Sequence, residues 1–217
     1  MVGISHELLA IAVNAPRAFN RVGWNWELKY DGFRLLATNV DGHLRMLTRK
    51  GIEVGAAFPE LVNELRRLRG KFALDCELVV LDHLGNPQFD RLATRARMTR
   101  QATIEAASKK DPAALFAFDA LVLNGKDVRA QPLHTRKAIL LKFLRNGERV
   151  RYLHHVEVRG EVLYEQACLI DFEGVVGKKV DSAYLAGRAA NWIKVRTPSG
   201  RARQAARSEK FAPGTPA

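Results

Sequence analysis

The sequence is poorest in cysteine, acidic charge and uninterrupted apolar runs, and each shortage closes off a class of protein. Two cysteines, Cys76 and Cys168, are present, both in apolar contexts that read as buried thiols. Neither has a second ligand at metal-binding spacing. A disulfide framework and a cysteine-based metal site are therefore excluded, and a reducing, cytoplasmic setting is expected. No apolar stretch approaches the ~20 residues that cross a bilayer. No charged, apolar, small-residue leader precedes the domain, so no membrane partner is expected. Asp and Glu number 23 against 35 Lys and Arg, a net charge of +12. That surplus favours a polyanionic partner, nucleic acid first, through phosphate contact and counterion release; it does not distinguish DNA from RNA.

What is present is a chain of 217 residues, 47% hydrophobic, long enough for one large domain or two small ones. Residues 1–21 show weak periodicity and are expected to form an irregular arm. Residues 22–196 carry the domain. Residues 197–217 are rich in Arg, Ala, Ser, Pro and Gly with little to bury, which predicts a basic, disordered tail. Within the domain, Val22–Leu28 and Phe33–Val40 read as strands joined at Asp31-Gly32, and Asp41-Gly42 marks a second turn of a meander. Leu61, Val62, Leu65 and Leu68 at helical spacing predict a helix over Pro59–Leu68. Lys71–Leu81 is an apolar run broken only by Asp75 and Glu77. Arg91–Arg100 reads as a basic helix able to touch a phosphate backbone, and Ala113–Leu123 as a buried strand ended by Asn124-Gly125. Helices over Thr135–Leu144 and Gly160–Ile170 and strands over Gly174–Val180 and Trp192–Val195 complete the pattern. Meanders with interspersed helices, rather than regular βαβ units, argue for α+β with largely antiparallel sheets.

Several polar residues sit where a core pattern does not need them. Lys29 closes an apolar strand, so its stem can pack while its ammonium faces a cleft. Such an amine becomes a nucleophile when neighbouring cations or desolvation lower its pKa; alone, Lys-x-Asp-Gly reads as a surface lysine beside a turn. Glu77 is flanked by Cys76 and Leu78, and a buried carboxylate must meet a cation or a polar ligand. Asp75 shares its face, with pairing to an arginine as its structural reading. Phe116 and Phe118 also point to one side by strand alternation, and Asp119 to the other. Lys194 and Arg196 alternate onto a single strand face that one phosphate could meet.

Glu27-Leu28-Lys29-Tyr30-Asp31-Gly32-Phe33-Arg34 resembles the nucleotide-attachment motif of the covalent nucleotidyltransferases: ATP-dependent DNA ligases, RNA ligases and mRNA capping enzymes. Asp75-Cys76-Glu77-Leu78, Phe116-Ala117-Phe118-Asp119, Glu173-Gly174-Val175-Val176-Gly177-Lys178 and Trp192-Ile193-Lys194-Val195-Arg196 resemble that family's later motifs, in its order. The likeness runs from Trp24 to Arg196 and is strongest to the ligase domain of bacterial end-joining DNA ligases. It implies two largely antiparallel sheets flanked by helices around a nucleotide cleft. It implies that Lys29 attacks the α-phosphorus of ATP to form lysyl-AMP, and that the AMP passes to the 5′-phosphate of nicked DNA for sealing. Glu27, Arg34, Glu77, Phe118, Lys178, Lys194 and Arg196 would then bind nucleotide. Glu77 would meet the ribose, Phe118 (or Phe116) would stack on adenine, and Lys194 would also be catalytic. Arg196 stands where many members carry lysine; the charge is kept, the donor geometry is not. Glu173 would position Mg²⁺ or Mn²⁺, and Arg49 would meet the 5′-phosphate of nicked or broken double-stranded DNA. A monomer is expected. Ligases of this type continue into an OB-fold domain, whereas this chain stops at Ala217. A helper domain or repair protein in trans is therefore expected. An RNA ligase or capping-type enzyme, or a non-catalytic DNA-end-binding remnant, stays open.

Overall fold

The computed structural model describes residues 4–144 and 147–210. Strands β1 (Ala10–Asn14), β2 (Asn20–Lys29), β3 (Phe33–Thr38) and β4 (Arg45–Thr48) come first. Helix α1 (Pro59–Arg67), strand β5 (Ala73–Val80), helices α2 (Phe89–Arg95) and α3 (Gln101–Lys110), and the long strand β6 (Ala113–Leu123) follow. The chain continues through β7 (Lys126–Asp127), α4 (Leu133–Leu144), β8 (Val150–Tyr152), β9 (Val156–Arg159), α5 (Gly160–Leu169), β10 (Gly174–Lys179), β11 (Gly187–Arg196) and α6 (Pro198–Lys210).

The strands form two sheets, one ordered β1-β11-β10-β2-β9 and one ordered β4-β3-β5-β6-β7 with β8 also on β6. Pairing is antiparallel except for β1 with β11 and β8 with β6. Three apolar layers hold them. Leu61 and Leu65 of α1 and Leu140 of α4 pack on one face of the six-stranded sheet. Leu36, Val79, Phe116 and Phe118 meet Tyr184 and Trp192 between the sheets. Trp26, Val175 and Val195 pack against Ala167 of α5 on the far face of the other sheet. Strand β6 is buried along its whole length, because helices cover one face and the second sheet the other. A strand buried on both faces shows no alternation, which is why it reads as one apolar run.

The turn expected at Asp31-Gly32 is not a hairpin. β2 pairs with β10 and β9, and β3 pairs with β4 and β5, so Asp31-Gly32 carries the chain from one sheet to the other. Two contacts impose this. A Cβ on Gly32 would lie 2.2 Å from the carbonyl oxygen of Leu78, so only glycine passes there. Asp31 is held by both terminal nitrogens of Arg207, at 2.6 and 2.5 Å. The Asp41-Gly42 turn does join β3 to β4 in antiparallel register.

Both ends depart from expectation. Residues 10–14 of the predicted irregular arm form β1, laid on β11, with Leu9 and Ala10 buried. Residues 198–210 of the predicted disordered tail form α6; residues 211–217 lie outside the described residues. α6 escapes a sequence reading because ion pairs, not an apolar stripe, dock it. The basic segment at 91–100 also divides. Arg95 is fully buried, forked onto Glu60 at 2.5 and 3.2 Å and lying over Phe58, so it is a core strut. Arg97 lines the cleft instead. Cys76 is buried as expected, but Cys168 lies on the solvent face of α5.

Candidate active site

Register across the five-stranded sheet assembles one functional face. Glu27, Val176 and Lys194 lie in one cross-strand row, and Lys29, Gly174 and Arg196 in the next. Asn25, Lys178 and Trp192 form the row beyond. Period-two alternation puts all three rows on the same side. Opposite them, Arg34 of β3, Glu77 of β5 and Phe116 of β6 share a row of the six-stranded sheet. Between the two faces lies a cleft of about 740 Å³, lined by Lys29, Arg34, Arg49, Glu77, Phe118, Lys178, Trp192, Lys194 and Arg196 among others.

At the inner end Glu27 is almost fully buried between two lysines. Lys178 approaches one oxygen at 2.8 Å and Lys137 of α4 the other at 2.6 Å. Lys178 also donates to the Phe118 carbonyl at 3.2 Å and sits 4.0 Å from the ring centre of Trp192. Lys137 donates to the Leu153 carbonyl at 2.8 Å. Burial pushes the Lys137 ammonium below its ordinary pKa, Lys178 adds to this, and Glu27 opposes it. The sequence reading missed Lys137. The available signal was a helix whose buried face carries Arg136 and Lys137 between Leu133 and Leu140. Each such cation demands a buried carboxylate, and Arg136 takes Asp119 at 2.7 and 2.9 Å.

Midway along the cleft, burial pushes the Glu77 carboxyl up to about 7; Glu173 and Asp75 add to this, and Lys29 and Arg34 oppose it. Arg34 lines the cleft, but its fork is engaged by Asp75 at 2.9 and 2.5 Å. Its third donor holds the Ala10 carbonyl. Tyr184 completes this knot, donating to Asp75 at 2.7 Å and accepting the Ala10 N–H at 3.0 Å. The arginine pairing read for Asp75 is therefore present, and β1 is tied to it. The two phenylalanines are also distinguished. Phe118 faces the cleft, whereas Phe116 stacks on Tyr30 with ring centres 4.4 Å apart.

At the mouth, Lys29 donates to Glu173 at 2.7 Å, and Arg196 meets the same carboxylate at 3.2 Å. Lys194 has no carboxylate within ion-pair distance among the described residues. Burial, Arg196, Lys29 and Arg49 together push its ammonium below the ordinary lysine value. Arg49 and Lys50 extend this basic rim. No cluster of three metal-ligating side chains occurs among the described residues. A hard cation bound by one or two carboxylates plus phosphate oxygens needs no such cluster. Glu173, which stands beside Lys29 and Arg196 at the cleft mouth, fits that description.

Residues 8–196 match the family model of the ATP dependent DNA ligase domain. The chain belongs to that family. Within the ATP-dependent DNA ligase family it is 34% identical over 196 residues to the multifunctional non-homologous end joining protein LigD of Pseudomonas aeruginosa, covering 89% of this chain and 22% of that protein. It is 29% identical over 178 residues to the SPbeta prophage-derived DNA ligase-like protein LigB of Bacillus subtilis, covering 82% of this chain and 62% of that protein. The ligase domain of Mycobacterium tuberculosis LigD superposes with a TM-score of 0.70 at 28% identity, over 89% of this chain and 62% of that one. A mycobacterial DNA ligase D complexed with ATP superposes with a TM-score of 0.69 at 28% identity, over 87% of this chain and 59% of that one. The chain thus spans between about a fifth and three-fifths of these relatives' lengths. The α+β nucleotidyltransferase fold, with two mainly antiparallel sheets around a cleft, is the fold of this family's adenylation domain. No described helix is long and apolar enough to cross a membrane.

Proposed function

We propose that this domain performs ATP-dependent adenylyl transfer for DNA strand sealing, with Lys29 as the nucleophile. The observation that carries this is the position of Lys29. It stands on the charged face of the five-stranded sheet, where an aromatic cleft meets a rim of Lys194, Arg196 and Arg49. Adenine fits against Phe118 and Trp192, whose walls are apolar, with the buried Lys178–Glu27 pair behind them. Glu77, when ionised, accepts hydrogen bonds from the ribose hydroxyls. The α-phosphate then lies at Lys29.

Glu173 holds the Lys29 nitrogen in place by its 2.7 Å contact. The amine attacks after losing its proton, and Lys194 and Arg196 stabilise charge that develops on the phosphoryl oxygens. Mg²⁺ or Mn²⁺, held by Glu173 with phosphate oxygens, would neutralise phosphate charge. A lysyl phosphoramidate is an activated donor, which explains an amine where serine would give an ordinary ester. The AMP then passes to the 5′-phosphate of nicked or broken double-stranded DNA, with Arg49 on that phosphate. The net charge of +12 supports a DNA partner, and the likeness to end-joining LigD proteins supports DNA over RNA. A monomer acting in the cytoplasm is consistent with this reading.

Intact mass of the protein before and after ATP with Mg²⁺, then after nicked DNA, tests it. The expected result is one added AMP, absent in Lys29→Ala, that disappears on DNA addition as sealed product forms. AMP that forms on RNA-sealing substrates only would move the reading to an RNA ligase. No adduct under any condition would sink it in favour of a DNA-end-binding module.

A further inference from the structure

Beside Lys29 the cleft opens into a second cavity of about 200 Å³, too small for a nucleoside. Lys29, Gly32 and Arg196 line both cavities, so the reacting lysine stands at their junction. The outer wall is α6, whose Gly200, Arg203, Gln204 and Arg207 line the small cavity. Their spacing of i, i+3, i+4 and i+7 is one helix face. A Cβ on Gly200 would lie 2.0 Å from the Glu173 carbonyl oxygen. The missing side chain is what seats the helix directly against the strand entrance that carries Glu173.

Charge in this cavity is unbalanced. Lys29, Arg196, Arg203 and Arg207 face only two carboxylates, Asp31 and Glu173, among the described lining residues. Each carboxylate is already shared by two cations. Asp31 has Arg207 at 2.5 Å and Arg203 at 3.6 Å, and Glu173 has Lys29 at 2.7 Å and Arg196 at 3.2 Å. Arg203 also reaches out of the cavity to Asp171, at 2.9 Å to its carboxylate and 2.8 Å to its carbonyl, so one positive charge is left over. The Nε of Arg203 is buried on the Asp31 side at 3.6 Å, without a hydrogen bond of its own, so the guanidinium acts on the cavity through its charge. The cavity is a cationic chamber of phosphate size, adjoining a nucleoside-sized cleft at the lysine.

We propose that the Arg203–Arg207 face of α6 binds the β- and γ-phosphates of ATP and the pyrophosphate that leaves. This rests on the adenylylation reading above. Attack by the neutral Lys29 amine forms the bond from Nζ to the α-phosphorus. It breaks the bond from that phosphorus to the oxygen bridging to the β-phosphorus. The bridging oxygen departs with the bonding pair on pyrophosphate, and the lysine proton goes to solvent. Arginines at the departing group lower the cost of its growing charge.

Calorimetric titration of the full chain with inorganic pyrophosphate, with AMP and with α,β-methylene-ATP tests this without any turnover. Arg203→Met should weaken pyrophosphate and the ATP analogue by about tenfold, the scale of one partly exposed cation close to a phosphate, and leave AMP unchanged. Unchanged pyrophosphate affinity in that variant overturns the α6 site. Where Arg203→Met lowers the melting temperature, Arg203→Lys decides, because it keeps the charge and loses the fork on Asp171 that positions it. About threefold weaker pyrophosphate binding is then expected, and wild-type affinity overturns the site. A wild-type protein that binds neither AMP nor the ATP analogue sinks the adenylylation reading instead, and the pyrophosphate titration still decides for or against the α6 site.

Discussion

The inner end of the cleft and its mouth use lysine in opposite ways. Lys178 is 1% exposed, shares Glu27 with Lys137 and lies against two aromatic rings. Lys29 is 22% exposed and shares Glu173 with Arg196 at the edge of solvent. Both are ion-paired, yet only the second can change partners. Removing Glu27 would strand two charges in a low-dielectric interior, whereas Glu173 can release Lys29 because Arg196 and water remain. A fixed charge shapes a pocket, and an exchangeable one suits a reacting group.

The largest effect expected is from Lys29→Ala. The lysyl-AMP adduct should vanish from the mass spectrum, with a melting temperature within about 2 °C of wild type because Glu173 keeps Arg196. A variant that still accepts AMP at another residue would break the assignment. Next comes Glu27→Gln at the inner end. Leaving Lys137 and Lys178 without their carboxylate should cost about 3–5 kcal/mol, read as a lower denaturant midpoint at unchanged slope. A loss below about 1 kcal/mol would mean that this pair behaves like a surface pair and the contrast with the mouth is wrong.

Glu77 lies between the two regions, and its carboxyl, pushed up to about 7, sets a pH dependence. The folded value exceeds the ordinary 4.5, so the folded protein holds an extra proton between those limits. The resulting stability is present at acid pH and lost as pH rises through about 7. Affinity for an ATP analogue should move the other way, rising severalfold from about pH 6 to about pH 8 as the carboxylate forms. Glu77→Gln should flatten both profiles; a wild-type profile in that variant would assign the titration elsewhere. The smallest effect on adenylylation is expected at the rim. Arg49→Ala should leave adduct formation within about twofold of wild type, yet reduce the salt slope of nicked-DNA binding by about 1. An equal loss of adduct formation would place Arg49 at the nucleotide instead.

Much of the site was legible because its residues break strong local patterns. A lysine ending an apolar strand, a glutamate inside one and two cations in alternation stand out from the apolar pattern, and the structure brings all of them to one cleft. The two phenylalanines of Phe-Ala-Phe-Asp could not be separated by alternation, since both face the space between the sheets. Only Tyr30, which covers Phe116, leaves Phe118 to line the cleft. Asp31-Gly32 misled for a related reason. The dipeptide permits a tight turn, but a hairpin also requires the flanking strands to pair, and β2 finds β10 and β9 instead.

By itself the sequence determined the strand and helix periods, the α+β class, the basic surplus and the order of the motifs that carry the family likeness. Those are local or compositional properties, written in spacing and residue type. Tertiary structure alone decided which sheet each strand joins, which carboxylate each buried cation meets, and that a polar C-terminal helix docks beside Lys29. Each of those depends on groups brought together from distant parts of the chain, as Lys137 meets Glu27 and Arg207 meets Asp31. A buried charge announces that it needs a partner, but only the folded chain names it.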